Sequence, residues 1–168
     1  MYEVFMELKI RSGTDDDAKQ AINVIRRSII ELCEIDHQND ATKITEWILN
    51  KTEENWRRWV SSPRGAVFVA EREGQLVGVS MMDFEGTILL NYVHPDARYT
   101  GVSKALLATM EVDATNRGIG RCTLQSTETA LVFYERCGYF PMKKSGSTEF
   151  ILEKSLCGIP SENGKIGR

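Results

Sequence analysis

The run from Val93 to Leu107, Val-His-Pro-Asp-Ala-Arg-Tyr-Thr-Gly-Val-Ser-Lys-Ala-Leu-Leu, constrains this chain more than any other. An apolar stretch stops at Pro95, a basic loop with one glycine follows, and an amphipathic pattern begins near Val102. That order predicts a strand, a loop and a helix, because proline cannot donate to a ladder and glycine suits a sharp turn. The first turn of such a helix leaves main-chain N–H groups without partners, and the helix dipole adds partial positive charge there. Gly101 and Ser103 are too small to block approach, so a phosphate can rest directly on those donors. Any fold for this chain must therefore hold an anion cradle between a strand and a helix.

Size and composition limit what surrounds that cradle. A chain of 168 residues with 42% hydrophobic content fits one globular domain with its own core. We expect that domain over residues 1–157 and a flexible C-terminal tail over 158–168, where Gly, Ser, Asn and Lys accumulate. A formal net charge of −3 argues against nucleic acid as a partner, since a polyanion binder carries a basic face. No apolar run reaches the length of a membrane span, and the first residues lack the basic-then-apolar order of a signal peptide. The four cysteines (33, 122, 137 and 157) form no CxxC pair. Together these features predict a reduced, cytoplasmic protein without a disulfide framework or a membrane partner. Cys33 and His37 share a helical spacing, but His94 is the one other histidine, so no metal site is expected.

Periodicity gives the order of elements. A strand is expected from Val4 to Ile10. A helix capped at Thr14 follows, with Ala18, Ala21, Ile22, Ile25, Ile29 and Leu32 at helical spacing. A second helix is expected over residues 42–50, and a third after Thr52 carries Trp56 and Trp59. Those tryptophans and Trp47 read as core, with an aromatic wall for a ligand as the alternative. Strands follow over 66–71, 76–84 and 87–93, joined by turns at 72–75 and at Glu85-Gly86. A helix over 101–116, a strand over 121–125, a helix over 128–137 and a hairpin over 139–144 and 148–153 complete the chain. Three antiparallel strands, a crossover helix and a parallel neighbour make a mixed α/β sheet with helices on both faces.

Two motifs on this frame resemble those of the GCN5-related N-acetyltransferase (GNAT) family. Arg98-x-x-Gly101-x-Ser103 is similar to its acyl-CoA-binding signature, with Ser103 where Gly or Ala is usual. Ala130-Leu131-Val132-Phe133-Tyr134-Glu135-Arg136-Cys137-Gly138-Tyr139 resembles the element that follows its second parallel strand, with Thr127 at the family's asparagine position. The element order is similar over about residues 6–155. The resemblance implies the acyl-CoA N-acyltransferase fold, a mixed, mostly antiparallel central sheet splayed between two parallel strands. It also implies acetyl-CoA as acetyl donor, held by Tyr92, Val93, Arg98, Tyr99, Thr100, Gly101, Val102, Ser103, Lys104, Thr127 and Tyr134.

The implied chemistry moves an acetyl group to a primary amine by direct attack in a ternary complex. Amine attack on a thioester builds an oxyanion and expels a thiolate, so an aimed N–H and a proton donor both help. The resemblance gives the first role to the backbone near Tyr92 or Val93 and the second to Tyr134. Asp83, Glu85, Glu31 and Glu34 are the candidate bases for the amine proton, direct or through water, with Asp83 and Glu85 expected near the substrate face. Glu31 and Glu34 are candidates to attract a cationic acceptor, a small molecule or a peptide. Relatives that pair through sheet edges make a homodimer one arrangement to test. The alternative is a non-catalytic acyl-CoA-binding or partner-binding domain on the same fold. A P-loop, a dinucleotide fingerprint and a nucleophile elbow are all absent from the sequence.

Overall fold

A computed structural model describes residues 6–142 and 150–156. The expected tail over 158–168, Cys157, the first residues of the N-terminal strand and the tip of the C-terminal hairpin lie outside the described residues. Seven strands form one sheet in the order β1-β2-β3-β4-β5-β7-β6. They are β1 (Lys9–Ser12), β2 (Gly65–Arg72), β3 (Gln75–Asp83), β4 (Thr87–Val93), β5 (Arg121–Ser126), β6 (Phe140–Pro141) and β7 (Phe150–Ser155). All neighbours run antiparallel except β4 and β5. The helices are α1 (Ala18–Leu32), α2 (Glu34–His37), α3 (Ala41–Ile48), α4 (Glu53–Val60), α5 (Val102–Asn116) and α6 (Leu131–Arg136).

The N-terminal strand lies later than expected, at Lys9–Ser12 instead of Val4–Ile10. Its partner explains the shift. Lys9 sits opposite Glu71, so Leu8 lies level with Arg72, the last residue of β2, and Met6 and Glu7 lie beyond the ladder, while Val4 and Phe5 lie outside the described residues. Arg11 fixes the register, bridging Glu71 (3.1 Å) and, in a bidentate pair, Asp17 (2.8 and 2.9 Å). Asp17 in turn accepts from the Thr14 main-chain N–H at 2.8 Å and so starts α1. A single-turn helix, α2, separates α1 from α3, whose N-cap is Asp40 (accepting from Lys43 N, 2.9 Å).

The core lies in two layers, one on each face of the sheet. Ile25 and Ile29 of α1, with Trp56 of α4, are fully buried against Val69 and Val79. Leu107 and Met110 of α5, with Tyr139 and Leu152, pack on Met82 and Leu124 on the other side. Gly78 lets α5 come close: a Cβ there would lie 2.5 Å from Val102 Cγ1 and 2.8 Å from Leu106 Cδ1. The start of α5 is therefore pressed onto β3.

The parallel pair is brief. Thr87 pairs with Thr123 and Ile88 with Leu124, and there the β4–β5 ladder ends, while β5 stays paired with β7 as far as Ser126. On its other side β4 carries an irregularity: Met81 faces Leu90 and Met82 faces Ile88, so Leu89 is an extra residue. A bulge of this kind bends a strand and increases its twist. The sheet forks at this point. No helix among the described residues is long and apolar enough to cross a membrane.

Candidate functional site

A cavity of about 470 Å³ occupies the fork. Its walls are β4 from Ile88 to Val93, the loop and first turn that lead into α5, and Leu124, Gln125 and Thr127 at the end of β5. Leu32 and Cys33 at the end of α1 close one side, and Phe133 and Tyr134 of α6 another.

The loop residues before α5 curl along the edge of the cavity. Tyr99 (φ 64°) and Gly101 (φ 84°) both take left-handed backbone, curling the chain so that successive N–H groups converge. Gly101 is the N-cap of α5 and supplies no side-chain partner, which leaves the first-turn N–H groups open. Nothing lies within 4 Å of where its Cβ would be. Thr100 holds the curl through its hydroxyl, which donates to Ala97 O at 2.6 Å and accepts from Arg72 Nη1 at 3.3 Å. Arg98 and Lys104 line the cavity and are the charged residues among its described walls. Arg72 joins this basic loop from β2, a contribution invisible in sequence because it arises from strand pairing.

Tyr134 is 7% exposed, packed edge-on between Phe133 (5.0 Å between centroids) and Tyr139 (5.8 Å). Burial pushes its phenol up to about 12, and the Asn91 carboxamide beside it holds back part of that rise. Asn91 Nδ2 also reaches Ser103 O at 3.5 Å, while its Oδ1 is buried without a partner among the described residues. A lone polar residue inside an apolar strand was the signal that marks Asn91. Tyr92 points to the α1 face, where Trp47 Nε1 donates to its hydroxyl at 3.2 Å, and burial raises this phenol too.

Thr127 lines the cavity and caps the turn before α6, its Oγ1 accepting from Ala130 N at 3.1 Å. Tyr92, Val93, Arg98, Tyr99, Gly101, Val102, Ser103, Lys104, Thr127 and Tyr134 thus share one cavity, with Thr100 bracing it from behind.

The four carboxylates do not join them. Asp83 and Glu85 lie at the β3–β4 turn, beside the paired end of β4 and at the opposite end of that strand from Val93. Asp83 Oδ1 is taken up by Glu85 N (3.0 Å) and Thr87 N (2.9 Å), which closes the β3–β4 turn. Glu31 pairs with Arg27 at 2.6 Å, and Glu34 accepts from Asn39 Nδ2 at 3.0 Å. None of the four lines the cavity. Arg27 stands four residues before Glu31 on α1, so this capture follows from helical spacing itself.

Cys33 also lines the cavity, and burial pushes its thiol up to about 12. His37 is buried (1% exposed) and works as a staple. Its Nδ1 accepts from Asn39 N at 3.0 Å, so Nε2 carries the proton and donates to Ile29 O at 2.9 Å. Trp56 is core, and Trp59 packs against it.

Comparison with known proteins agrees with this architecture. A family model described as an acetyltransferase (GNAT) domain matches residues 33–152. No curated protein matches the chain. Among solved structures, the PaiA N-acetyltransferase of Thermoplasma acidophilum, in complex with coenzyme A, is 22% identical with a TM-score of 0.78, covering 89% of this chain and 99% of that one. A GCN5-related N-acetyltransferase from Rhodopseudomonas palustris is 21% identical with a TM-score of 0.79, covering 92% and 99%. The ribosomal-protein-S18-alanine N-acetyltransferase of Escherichia coli is 17% identical with a TM-score of 0.67, covering 95% and 100%. At these identities the structures establish the shared fold, and the matched domain establishes descent. The chain belongs to the GNAT acetyltransferase family.

Proposed function

We propose that this protein acetylates a primary amine, drawing the acetyl group from acetyl-CoA by direct attack, with Tyr134 as the general acid. The observation that carries the reading is the continuity of one cavity from the N-terminus of α5, through the fork, to the Tyr134 phenol. The residues fit the donor that the GNAT family uses. Gly101 leaves open space over the unpaired N–H groups of α5, and Arg98 and Lys104 supply charge for a diphosphate. Past Ile88, the β5-facing main chain of β4 has no ladder partner among the described residues and can pair with an amide-bearing arm. Thr127 and the buried, unpartnered Asn91 Oδ1 offer further polar contacts along that path.

Acetyl-CoA supplies a thioester whose acetyl transfer leaves a thiolate that must be protonated. Tyr134 suits that task because its raised pKa keeps the proton on oxygen at neutral pH. A main-chain N–H near Tyr92 or Val93 is the proposed oxyanion donor. Because Asp83, Glu85, Glu31 and Glu34 stand outside the cavity, the amine proton is proposed to leave through water. The acceptor is a small-molecule or peptide amine.

Thiol release from acetyl-CoA, measured across amines, amino acids, polyamines and peptides, tests the activity. Release that depends on an amine is the expected result. Coenzyme A binding without such release would favour a non-catalytic domain. Tyr134→Phe should lower kcat by about 100-fold or more while leaving coenzyme A affinity within a few-fold. Unchanged turnover would remove Tyr134 from the mechanism.

A further inference from the structure

Asp36 makes a long-range connection between the two arms of the fork. It stands on α2, beside α1, which packs on β3 and β4. Its carboxylate reaches 92 and 93 residues along the chain, to the turn between β5 and α6 on the other arm of the fork. Oδ1 accepts from Glu128 N at 2.7 Å, and Oδ2 from the Thr129 hydroxyl at 2.5 Å and, more loosely, from Thr129 N at 3.4 Å.

Both ends of this bridge matter to the site. At one end, the His37 staple to Ile29 O ties α2 to the last turns of α1, so Asp36 projects from a fixed support. At the other, the bonded turn leads directly into α6. That helix has only six residues and its N-cap, Ala130, makes no side-chain cap, so its first turn leans on the preceding turn, where Thr127 Oγ1 accepts from Ala130 N. Tyr134 N donates to Ala130 O at 3.1 Å, placing the phenol one turn beyond the clamp.

We propose that Asp36 is a positioning residue for Tyr134: by gripping the turn before α6 across the open fork, it sets where the phenol stands in the cavity. This inference rests on the reading of Tyr134 as general acid. No further group is consumed or transferred; the carboxylate only accepts hydrogen bonds.

A double-mutant cycle tests it, using thiol release from acetyl-CoA with hydroxylamine as a small nucleophilic probe. Asp36→Ala should lower kcat by about 10- to 100-fold, as expected when a catalytic group is displaced by about 1 Å, with the KM for acetyl-CoA changed far less. In the Tyr134→Phe background the same substitution should cost little more, because the group it positions is already gone. Thr129→Val should give part of the loss, and Thr129→Ser, which keeps the hydroxyl, should restore wild-type turnover. If Asp36→Ala does not fold, Thr129→Val and Thr129→Ser decide the matter by the same criteria. Penalties that multiply in the double variant, or wild-type kcat in Asp36→Ala and Thr129→Val, would overturn the positioning role. Unchanged turnover in Tyr134→Phe alone would instead overturn the acid role and this inference with it.

Discussion

Tyr134 and Cys33 show one cavity acting alike on two acidic side chains, of which Tyr134 has the proposed role of proton donor. Burial disfavours the charged form of each, pushing both up to about 12. For a proton donor that is an advantage, since the phenol stays protonated through the range where amines become nucleophilic. For a thiol it means inertness, because only the thiolate attacks. A consequence follows for the pH dependence of kcat. Loss of the Tyr134 proton should inhibit only as pH approaches about 12, well above the ordinary tyrosine value near 10. The rise on the acidic side should follow deprotonation of the acceptor, shifting when amines of different basicity are compared. An alkaline limb centred near 10 and abolished by Tyr134→Phe would contradict the burial described for that phenol.

At the level of elements, the close contact between α5 and β3 decides how well the anion cradle is placed. Gly78 has no room for a side chain: its Cβ would meet Val102, the first residue of α5, at 2.5 Å. Gly78→Ala should therefore cost about 1–3 kcal/mol through overpacking and should also weaken coenzyme A binding, because the helix start must move. Denaturant midpoints and titration calorimetry measure the two effects; a variant with both unchanged would show that α5 is not held there. Gly78 could not be singled out in the sequence, where it is one glycine in an apolar strand. The legible elements were those whose local pattern and tertiary role coincide. The 3.6-residue apolar repeat of α1, the Arg72–Gln75 turn and the strand–loop–helix at Val93 to Leu107 all declared themselves. What stayed hidden depends on partners far along the chain. The start of β1 is set by where β2 turns, the fork by the bulge at Leu89, and the engagement of Asp36 by Glu128 and Thr129, which only folding brings near.

The two core layers share the strands of one sheet, so the molecule's stability and its ligand site are coupled through them. Tyr92 packs with the α1 layer while Ile88 and Tyr134 belong to the α5 layer, and the cavity lies between them. Arg11 and Asp17 anchor the first layer at its edge, joining β1, β2 and α1 far from the cavity. The hydrogen bond from Arg11 is the main reason the Asp17 carboxyl is held below its ordinary value, with burial opposing and the Thr14 N–H adding support. A carboxyl lowered in the folded state contributes stability that is fully present above its unfolded value, near 3.9, and is lost as pH falls through the folded value. Asp17→Asn removes the charge and should cost about 1–3 kcal/mol at neutral pH, since Asp17 is 7% exposed and its bonds to Arg11 are charge-assisted. The gap between wild type and variant should stay constant above about pH 5 and close at lower pH. Coenzyme A should stabilise both proteins equally, by about 2.7 kcal/mol at one hundred times its dissociation constant, because the substitution leaves the cavity walls untouched. Urea midpoints recorded from pH 7 to pH 3, with and without coenzyme A, measure both terms. A gap that widened on acidification would mean that the Arg11–Asp17 pair does not anchor the fold as described, and unequal stabilisation by the ligand would mean that the anchor reaches the cavity through β2 and β3.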